Sequence, residues 1–164
     1  MTEIDTKQPV IIGVLTVSDT RKKETDKSGA TIIRMAESAG HRIGDYRICT
    51  DDPAEIMTVV ADYMRHDAIQ AIIITGGSGI SKRDQTIETV APLFNKSLDG
   101  FGELFRFLSY TEDVGSKALL SRATAGVIGE KVLFALPGSS KAVELAMEKL
   151  IIPELHHIIH EITK

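Results

Sequence analysis

The stretch AIIITGGSGISKRDQT, residues 71–86, decides the fold of this chain. Its first four residues, Ala71 to Ile74, are apolar, mostly β-branched and without polar alternation. This pattern predicts a strand that is buried on both faces in the middle of a sheet. Thr75 and the run Gly76 to Gly79 follow, and glycines let a backbone turn sharply and approach a ligand closely. Because ligands of open α/β sheets bind at the carboxyl ends of strands, this loop is a predicted ligand site.

The second half of the stretch brings hydroxyl, cationic and acidic side chains to the same strand end. They are Ser81, Lys82, Arg83 and Asp84. We predict that Thr86 then caps a helix that continues to Leu93. A plainer interpretation stays open, in which the loop is only a tight turn and Asp84 favours the positive end of the helix. The spacing matches neither the P-loop nor the GxGxxG fingerprint, so the standard nucleotide motifs are absent.

Two further strand ends carry polar residues. The run VIIGVLTV, residues 10–17, predicts a second buried strand, and Ser18 and Asp19 follow it. A charged loop then leads to Ser28 and Gly29, which we expect just ahead of a helix that stops at Gly40. The charged loop is either a solvated surface loop or a second wall of the ligand site.

The segment 41–49 predicts a third strand, less apolar and therefore nearer the sheet edge. A helix start follows, because Asp52 is a suitable cap and Pro53 suits the first turn. Capping explains Asp52 but leaves Asp51 unexplained. A surface aspartate beside a cap is common, so the local pattern alone gives Asp51 no function. Cys49, the single cysteine, is predicted to be a buried thiol.

The C-terminal half predicts an antiparallel pair, residues 124–128 and 131–136, joined by a two-residue turn that begins with Gly129. The turn Pro137 to Ser140 follows at the start of a helix, which makes it a predicted anion site, or simply a cap formed by Ser139 or Ser140. His156 and His160 are four residues apart on the last helix, and an exposed polar face explains them better than a metal site.

Residues 95–100 are predicted to form a polar link. A helix that begins near Phe101 presents apolar side chains on one face. They are Phe101, Leu104, Phe105 and Leu108. Phe107 points away from this face, so it forms either a wider core contact or part of a subunit interface.

Together these patterns predict a three-layer α/β/α sandwich with a mostly parallel sheet and one antiparallel hairpin element. We expect a flexible tail over residues 1–9 and a single domain over residues 10–164. With 26% charged residues and a net charge of −4, the 164-residue chain has no basic field for nucleic acid or an anionic membrane. It also has no apolar run long enough to span a bilayer, so a cytoplasmic location is expected.

Several motifs resemble one known family. TGGSGISKRDQTIE, residues 75–88, is similar to the TTGGTG-x-x-x-RD-x-T signature of the MoaB/MogA molybdenum-cofactor biosynthesis family, to which the gephyrin G domain also belongs. GVLTVSDT and DKSG precede it, and GFGELFR, SRATAG and LPGSSKAV follow it in the family's order. The chain looks closest to the MoaB branch. Ser78 stands where the family usually has threonine, which keeps the hydroxyl.

The resemblance implies an enzyme, a molybdopterin adenylyltransferase that uses Mg²⁺ and ATP and gives adenylyl-molybdopterin and pyrophosphate. It implies catalytic and magnesium-binding roles for Asp51 and Asp84. The residues expected to bind molybdopterin are Thr75, Gly76, Gly77, Ser78, Gly79, Ser81, Arg83, Pro137, Gly138, Ser139 and Ser140. Those expected to bind the nucleotide are Ser18, Asp19, Ser28 and Gly29.

The resemblance also implies a homotrimer or hexamer, with other enzymes of the molybdenum-cofactor pathway as partners. Two alternatives remain at the level of sequence. The first is a molybdopterin-binding or scaffold protein of the same pathway without catalysis. The second is a dinucleotide hydrolase like CinA, which is weaker because CinA proteins usually carry this domain within a longer chain.

Overall fold

The sheet contains six strands and lies at the centre of the molecule. The computed structural model describes residues 8–164, so most of the predicted tail, residues 1–7, lies outside the described residues. The strands are β1 (Ile11–Val17), β2 (Arg42–Cys49), β3 (Ala71–Thr75), β4 (Lys96–Ser97), β5 (Thr124–Ile128) and β6 (Lys131–Leu136). Their order across the sheet is β2, β1, β3, β6, β5, β4. The first four run parallel, and β5 lies antiparallel to both of its neighbours.

Helices cover both faces of the sheet. They are α1 (Lys27–Ser38), α2 (Pro53–Arg65), α3 (Thr86–Val90), α4 (Asp99–Glu112), α5 (Ser140–Ala146) and α6 (Ile152–Thr163). Short 3₁₀ turns span Ala91–Leu93 and Gly115–Leu120, and the π-helical turn Met147–Ile151 joins α5 to α6. Helices α1, α4, α5 and α6 pack on one face, and α2 and α3 pack on the other. The predicted three-layer fold and its late hairpin are therefore confirmed.

Strand β3 is the central element, as its sequence predicts. All of its residues are buried. Ala71 and Ile73 point into one half of the core, and Ile72 and Ile74 point into the other. Each fully buried aliphatic side chain contributes roughly 1.5–3 kcal/mol relative to an exposed one, so a polar residue is disfavoured at every position of this strand. Of the helices in residues 8–164, none has the length and apolar character to cross a membrane.

The strand order reverses between β1 and β3. From β1 the chain passes to β2 on one side, and it then returns to place β3 on the other side. The loops that leave β1 and β3 therefore diverge, and a crevice opens between them at the carboxyl ends of the strands. The sheet topology thus places the glycine-rich loop after β3 beside the polar loop after β1.

The prediction that Thr86 caps a helix is wrong. The residue before α3 is Gln85, which makes no capping hydrogen bond. The helical segment itself reaches Leu93 as predicted, because the 3₁₀ turn Ala91–Leu93 continues α3. The Thr86 side chain is fully buried, and its Oγ1 donates to the carbonyl oxygen of Gly76 at 2.8 Å. A buried carbonyl needs a donor, and this need determines the orientation of the threonine.

The start of α1 also differs from the prediction. Ser28 and Gly29 lie inside the first turn of α1, and Asp26 is the cap, because its carboxylate accepts from the Gly29 N–H at 3.0 Å. Asp26 is itself only 2% exposed. Its carboxylate also accepts from the Thr16 hydroxyl at 2.6 Å and from the Tyr46 hydroxyl. Asp26 therefore anchors α1 to both β1 and β2.

Two predictions around α4 are wrong. The segment 95–100, expected as a polar link, contains the short strand β4, which pairs with β5. Leu104, expected in the core, is 53% exposed, whereas Gly102 and Ser109 are buried beside Phe105. A Cβ atom on Gly102 would lie 2.8 Å from the carbonyl oxygen of Ala123. This close approach of α4 to the sheet turns Leu104 outward.

Candidate functional site

A cavity of about 590 Å³ occupies the crevice at the ends of β1, β3 and β6. Most of the residues predicted from sequence to form the site lie on its wall. They are Ser18, Asp19, Asp51, Gly76, Gly77, Ser78, Gly79, Asp84, Pro137, Gly138 and Ser139. Four strand-end loops that are distant in sequence, those after β1, β2, β3 and β6, therefore converge on one space.

Two residues of the glycine-rich loop adopt left-handed backbone conformations. Gly76 has φ +100° and Gly77 has φ +69°, and side chains rarely tolerate such values. A Cβ atom on Gly76 would lie 2.2 Å from the carbonyl oxygen of Val17, so only glycine fits this close against β1. Thr75 is buried, and its Oγ1 donates to the carbonyl oxygen of Pro137 at 2.8 Å. These contacts fix the loop against both neighbouring strand ends.

Asp51 and Asp84 line the same cavity. Burial raises the pKa of Asp51, and the negative charge of Asp84 raises this pKa further, so the two carboxylates interact across the site. Oδ2 of Asp84 accepts from both the N–H of Ser81, at 2.9 Å, and its hydroxyl, at 2.8 Å. The N–H of Asp51 donates to Asp19 Oδ1 at 3.1 Å. Ser81 therefore holds the Asp84 carboxylate in place, and Asp19 fixes the backbone of Asp51.

The two carboxylates fit a magnesium ion that is shared with a ligand. Burial, and then the charge of Asp84, raise the pKa of Asp51, and a bound cation would offset this cost of ionisation. Within residues 8–164, no group of three or more His, Cys, Asp or Glu side chains forms a metal cage. Mg²⁺ commonly takes one or two carboxylates and completes its shell with water and phosphate oxygens. Asp51 and Asp84 match that donor set.

The wall opposite the glycine-rich loop comes from α4 and the turn Gly115–Leu120, and no motif in the sequence predicts it. Phe105, Ser109 and Asp113 line the cavity, with Lys117 on the following turn. Their spacing of four residues places the first three on one helix face, which is the signal that was available in the sequence. Asp113 pairs with Lys141 at 3.2 Å, so this wall carries both charges.

Arg21 is a second unanticipated residue of the cavity wall. Its guanidinium donates to the Ser28 hydroxyl at 3.0 Å and to the carbonyl oxygen of Gly138 at 3.1 Å, and it lies 3.8 Å from the Asp26 carboxylate. The Ser28 hydroxyl also donates to the carbonyl oxygen of Gly138 at 2.5 Å. Ser28 is buried behind the wall and joins α1 to the Pro137–Ser140 turn, and Gly29 is buried beside Asp26 in the first turn of α1.

The remaining predicted residues also lie off the cavity wall. Ser81 supports Asp84, and Ser140 is the first residue of α5. Arg83 forms an ion pair with Asp19. The Asp19 carboxylate accepts from Asp51 as well. Arg83 therefore links the loop after β3 to the loops after β1 and β2 without lining the cavity itself.

The sequence profile of the family described as "Probable molybdopterin binding domain" matches residues 13–157. The chain belongs to this family. Molybdenum cofactor biosynthesis protein B from Bacillus subtilis, one of its relatives, is 54% identical over 151 residues, which cover 92% of this chain and 89% of the relative.

Solved structures of the molybdopterin-binding family have the same fold as this chain. A crystal structure of Molybdenum cofactor biosynthesis protein B superposes with a TM-score of 0.93 at 48% identity, covering 96% of this chain and 98% of that one. The tungsten cofactor synthesizing protein MoaB from Pyrococcus furiosus gives a TM-score of 0.86 at 38% identity, covering 96% and 99%. The resemblance drawn from residues 75–88 is thereby confirmed, and the chain is a MoaB-family molybdenum-cofactor biosynthesis protein.

Proposed function

We propose that this protein binds molybdopterin and ATP in the cavity and transfers an adenylyl group between them. A phosphate oxygen of molybdopterin attacks the α-phosphorus of ATP. The bond from that phosphorus to the bridging oxygen breaks, and pyrophosphate leaves with the electron pair. The observation that supports this proposal is the convergence of two carboxylates and a glycine-rich loop on one cavity at the strand-order reversal.

Phosphate transfer depends more on positioning and charge stabilisation than on a protein base. Asp51 and Asp84 would hold Mg²⁺, which supplies positive charge to the phosphates when it is bound. Arg21 and Lys117 line the cavity and provide local cations for the same purpose. Lys82 and Arg83, the cations of the loop after β3, do not line the cavity, and Arg83 pairs with Asp19.

The volume and the lining of the cavity suit small polar ligands such as molybdopterin and ATP. The cavity volume of about 590 Å³ falls within the range of roughly 300–1,000 Å³ that is typical of small-molecule sites. Gly76 to Gly79 and the Pro137–Ser139 turn are proposed to contact molybdopterin and its phosphate, and Ser18 and Asp19 to contact the nucleotide. Ser28 and Gly29 act indirectly in this proposal, because Ser28 holds the Gly138 carbonyl oxygen from behind the wall and Gly29 lies buried in the same helical turn.

Self-association is proposed through the outer face of α4. Phe107 is 62% exposed and Tyr110 is 60% exposed, and Leu104 extends the same apolar surface. Aromatic side chains are enriched at protein interfaces, and a second copy of this chain would cover them. A trimer or hexamer, with contacts to other enzymes of the pathway, remains the proposed assembly.

The proposal is tested with purified molybdopterin, ATP and Mg²⁺ in a coupled assay for pyrophosphate. Release should depend on all three components and should be lost in Asp84→Asn, while molybdopterin still binds that variant in a calorimetric titration. Binding without any pyrophosphate from the unmodified protein would contradict the transferase and indicate the non-catalytic alternative. Full turnover in Asp84→Asn would contradict the magnesium role.

A further inference from the structure

The motif SRATAG contains an arginine that lies outside the cavity wall and contacts the glycine-rich loop. The Arg122 guanidinium donates to the carbonyl oxygen of Gly79 at 2.5 Å, and its Nε donates to that of Ser78 at 3.3 Å. These residues are more than forty positions apart in sequence. We propose that Arg122 is a positioning residue, which holds the glycine-rich loop in its binding conformation from the side opposite the ligand. This inference rests on the proposed function of the cavity.

The geometry of the peptide bond explains how Arg122 acts at a distance. In a trans peptide unit the C=O and the following N–H point in opposite directions. When Arg122 holds the Ser78 carbonyl from outside, the N–H of Gly79 points away from Arg122. Gly79 itself lines the cavity. The arginine therefore fixes the direction in which this amide is presented.

Glu88 fixes Arg122 in turn. The Glu88 carboxylate pairs with both terminal nitrogens of the guanidinium, one of them at 3.1 Å. Such two-pronged pairs are geometrically specific. Hydrogen bonds from Arg122 lower the pKa of Glu88, so the carboxylate stays ionised at pH values below the usual pKa range of a glutamate. Because Glu88 belongs to α3, the loop is clamped to a helix.

Displacement of Gly79 would also disturb the catalytic carboxylate. A Cβ atom on Gly79 would lie only 2.7 Å from Oδ2 of Asp84, so the loop backbone packs directly against that side chain. Loss of Arg122 is therefore expected to loosen two features at once, the amide of Gly79 and the placement of Asp84. Both lie on the cavity wall.

The test compares Arg122→Gln with Arg106→Gln. Arg106 is a matched control, because Arg106 and Arg122 line one groove on the outer surface. Arg106 also donates to a backbone carbonyl, that of Ala123 at 2.9 Å, but it does not contact the loop. Arg122→Gln should accelerate amide hydrogen exchange in residues 76–86 by roughly tenfold to a hundredfold, the worth of one charge-assisted hydrogen bond. Amide hydrogen exchange in residues 10–17 should be unaffected in Arg122→Gln. Arg106→Gln should leave the exchange of residues 76–86 unchanged.

Turnover provides the second readout. Pyrophosphate release should fall about tenfold or more in Arg122→Gln, and Arg122→Lys should recover part of it because the ammonium can reach one carbonyl. Unchanged exchange in residues 76–86, or equal loss of turnover in Arg122→Lys and Arg122→Gln, would overturn the positioning role. If Arg122→Gln fails to fold, Glu88→Gln replaces it, with the same loop-specific acceleration expected and its absence decisive against the role. Should the unmodified protein release no pyrophosphate, the transferase proposal fails, and hydrogen exchange alone decides the role of Arg122.

Discussion

Replacement of Thr86 by valine removes one buried hydrogen bond at the base of the glycine-rich loop. Thr86 is fully buried, and its hydroxyl donates to the carbonyl oxygen of Gly76 at 2.8 Å. The same carbonyl accepts no other hydrogen bond from residues 8–164. Valine has nearly the same volume but no donor, so Thr86→Val should leave this carbonyl buried and unpaired.

The size of the effect follows from that geometry. Leaving a buried polar group without a partner costs about 1–3 kcal/mol. For a chain of this length, each kcal/mol lowers the melting temperature by about 2–4 °C, so a decrease of roughly 2–12 °C is expected. Thr86→Ser keeps the donor and should retain most of the stability. Thr89→Val is the surface control, because Thr89 donates to its own helix at Gln85 and is partly exposed.

Unfolding in urea, followed by circular dichroism, measures these differences. We expect Thr86→Val to lose at least about 1 kcal/mol of unfolding free energy and Thr89→Val about 0.5 kcal/mol or less. Equal destabilisation by the two valine substitutions would refute the reasoning, since it would mean that the Gly76 carbonyl does not depend on Thr86.

Two further predictions concern charge and assembly. Asp51→Asn should raise the denaturation midpoint at pH 7, because the raised pKa of Asp51 means that its ionised form is disfavoured in the folded protein. The gain in stability should vanish as the pH falls below about 3.9, where the carboxyl is protonated in both the folded and the unfolded protein. A midpoint that does not change with this substitution would contradict the raised pKa of Asp51, which burial and then the charge of Asp84 cause. Phe107→Glu should keep the far-UV circular dichroism spectrum but lower the mass in sedimentation, because Phe107 is exposed on α4. An unchanged mass would remove Phe107 from the interface.

The sequence predicts those parts of the fold that depend on local patterns. Four apolar residues without alternation identify β3, and the Asp52–Pro53 pair identifies the start of α2. The turn at Gly129, with φ +59°, joins β5 and β6 as predicted. The physical causes are burial on both faces, capping and turn conformation. Each of them leaves a pattern that spans only a few residues.

The features missed from the sequence depend on contacts between distant segments. Thr86 looks like a helix cap, but a carbonyl ten residues earlier determines its orientation. Leu104 lies on the expected apolar stripe, but the approach of Gly102 to Ala123 rotates it outward. Arg21 contacts Gly138 across 117 positions. Local periodicity carries no information about such pairs, so these parts of the site emerge only from the tertiary structure.

The central claim is that Asp51 and Asp84 jointly hold the cation that phosphate transfer requires, and neighbouring aspartates provide a direct test. Asp52 caps α2 through the N–H of Ala54 at 2.9 Å and does not line the cavity. Asn caps helices about as well as Asp, so Asp52→Asn removes the same charge without harm to the helix. Magnesium-dependent pyrophosphate release should fall by about a hundredfold or more in Asp51→Asn and stay near the unmodified rate in Asp52→Asn. Equal rates in the two variants would contradict the claim.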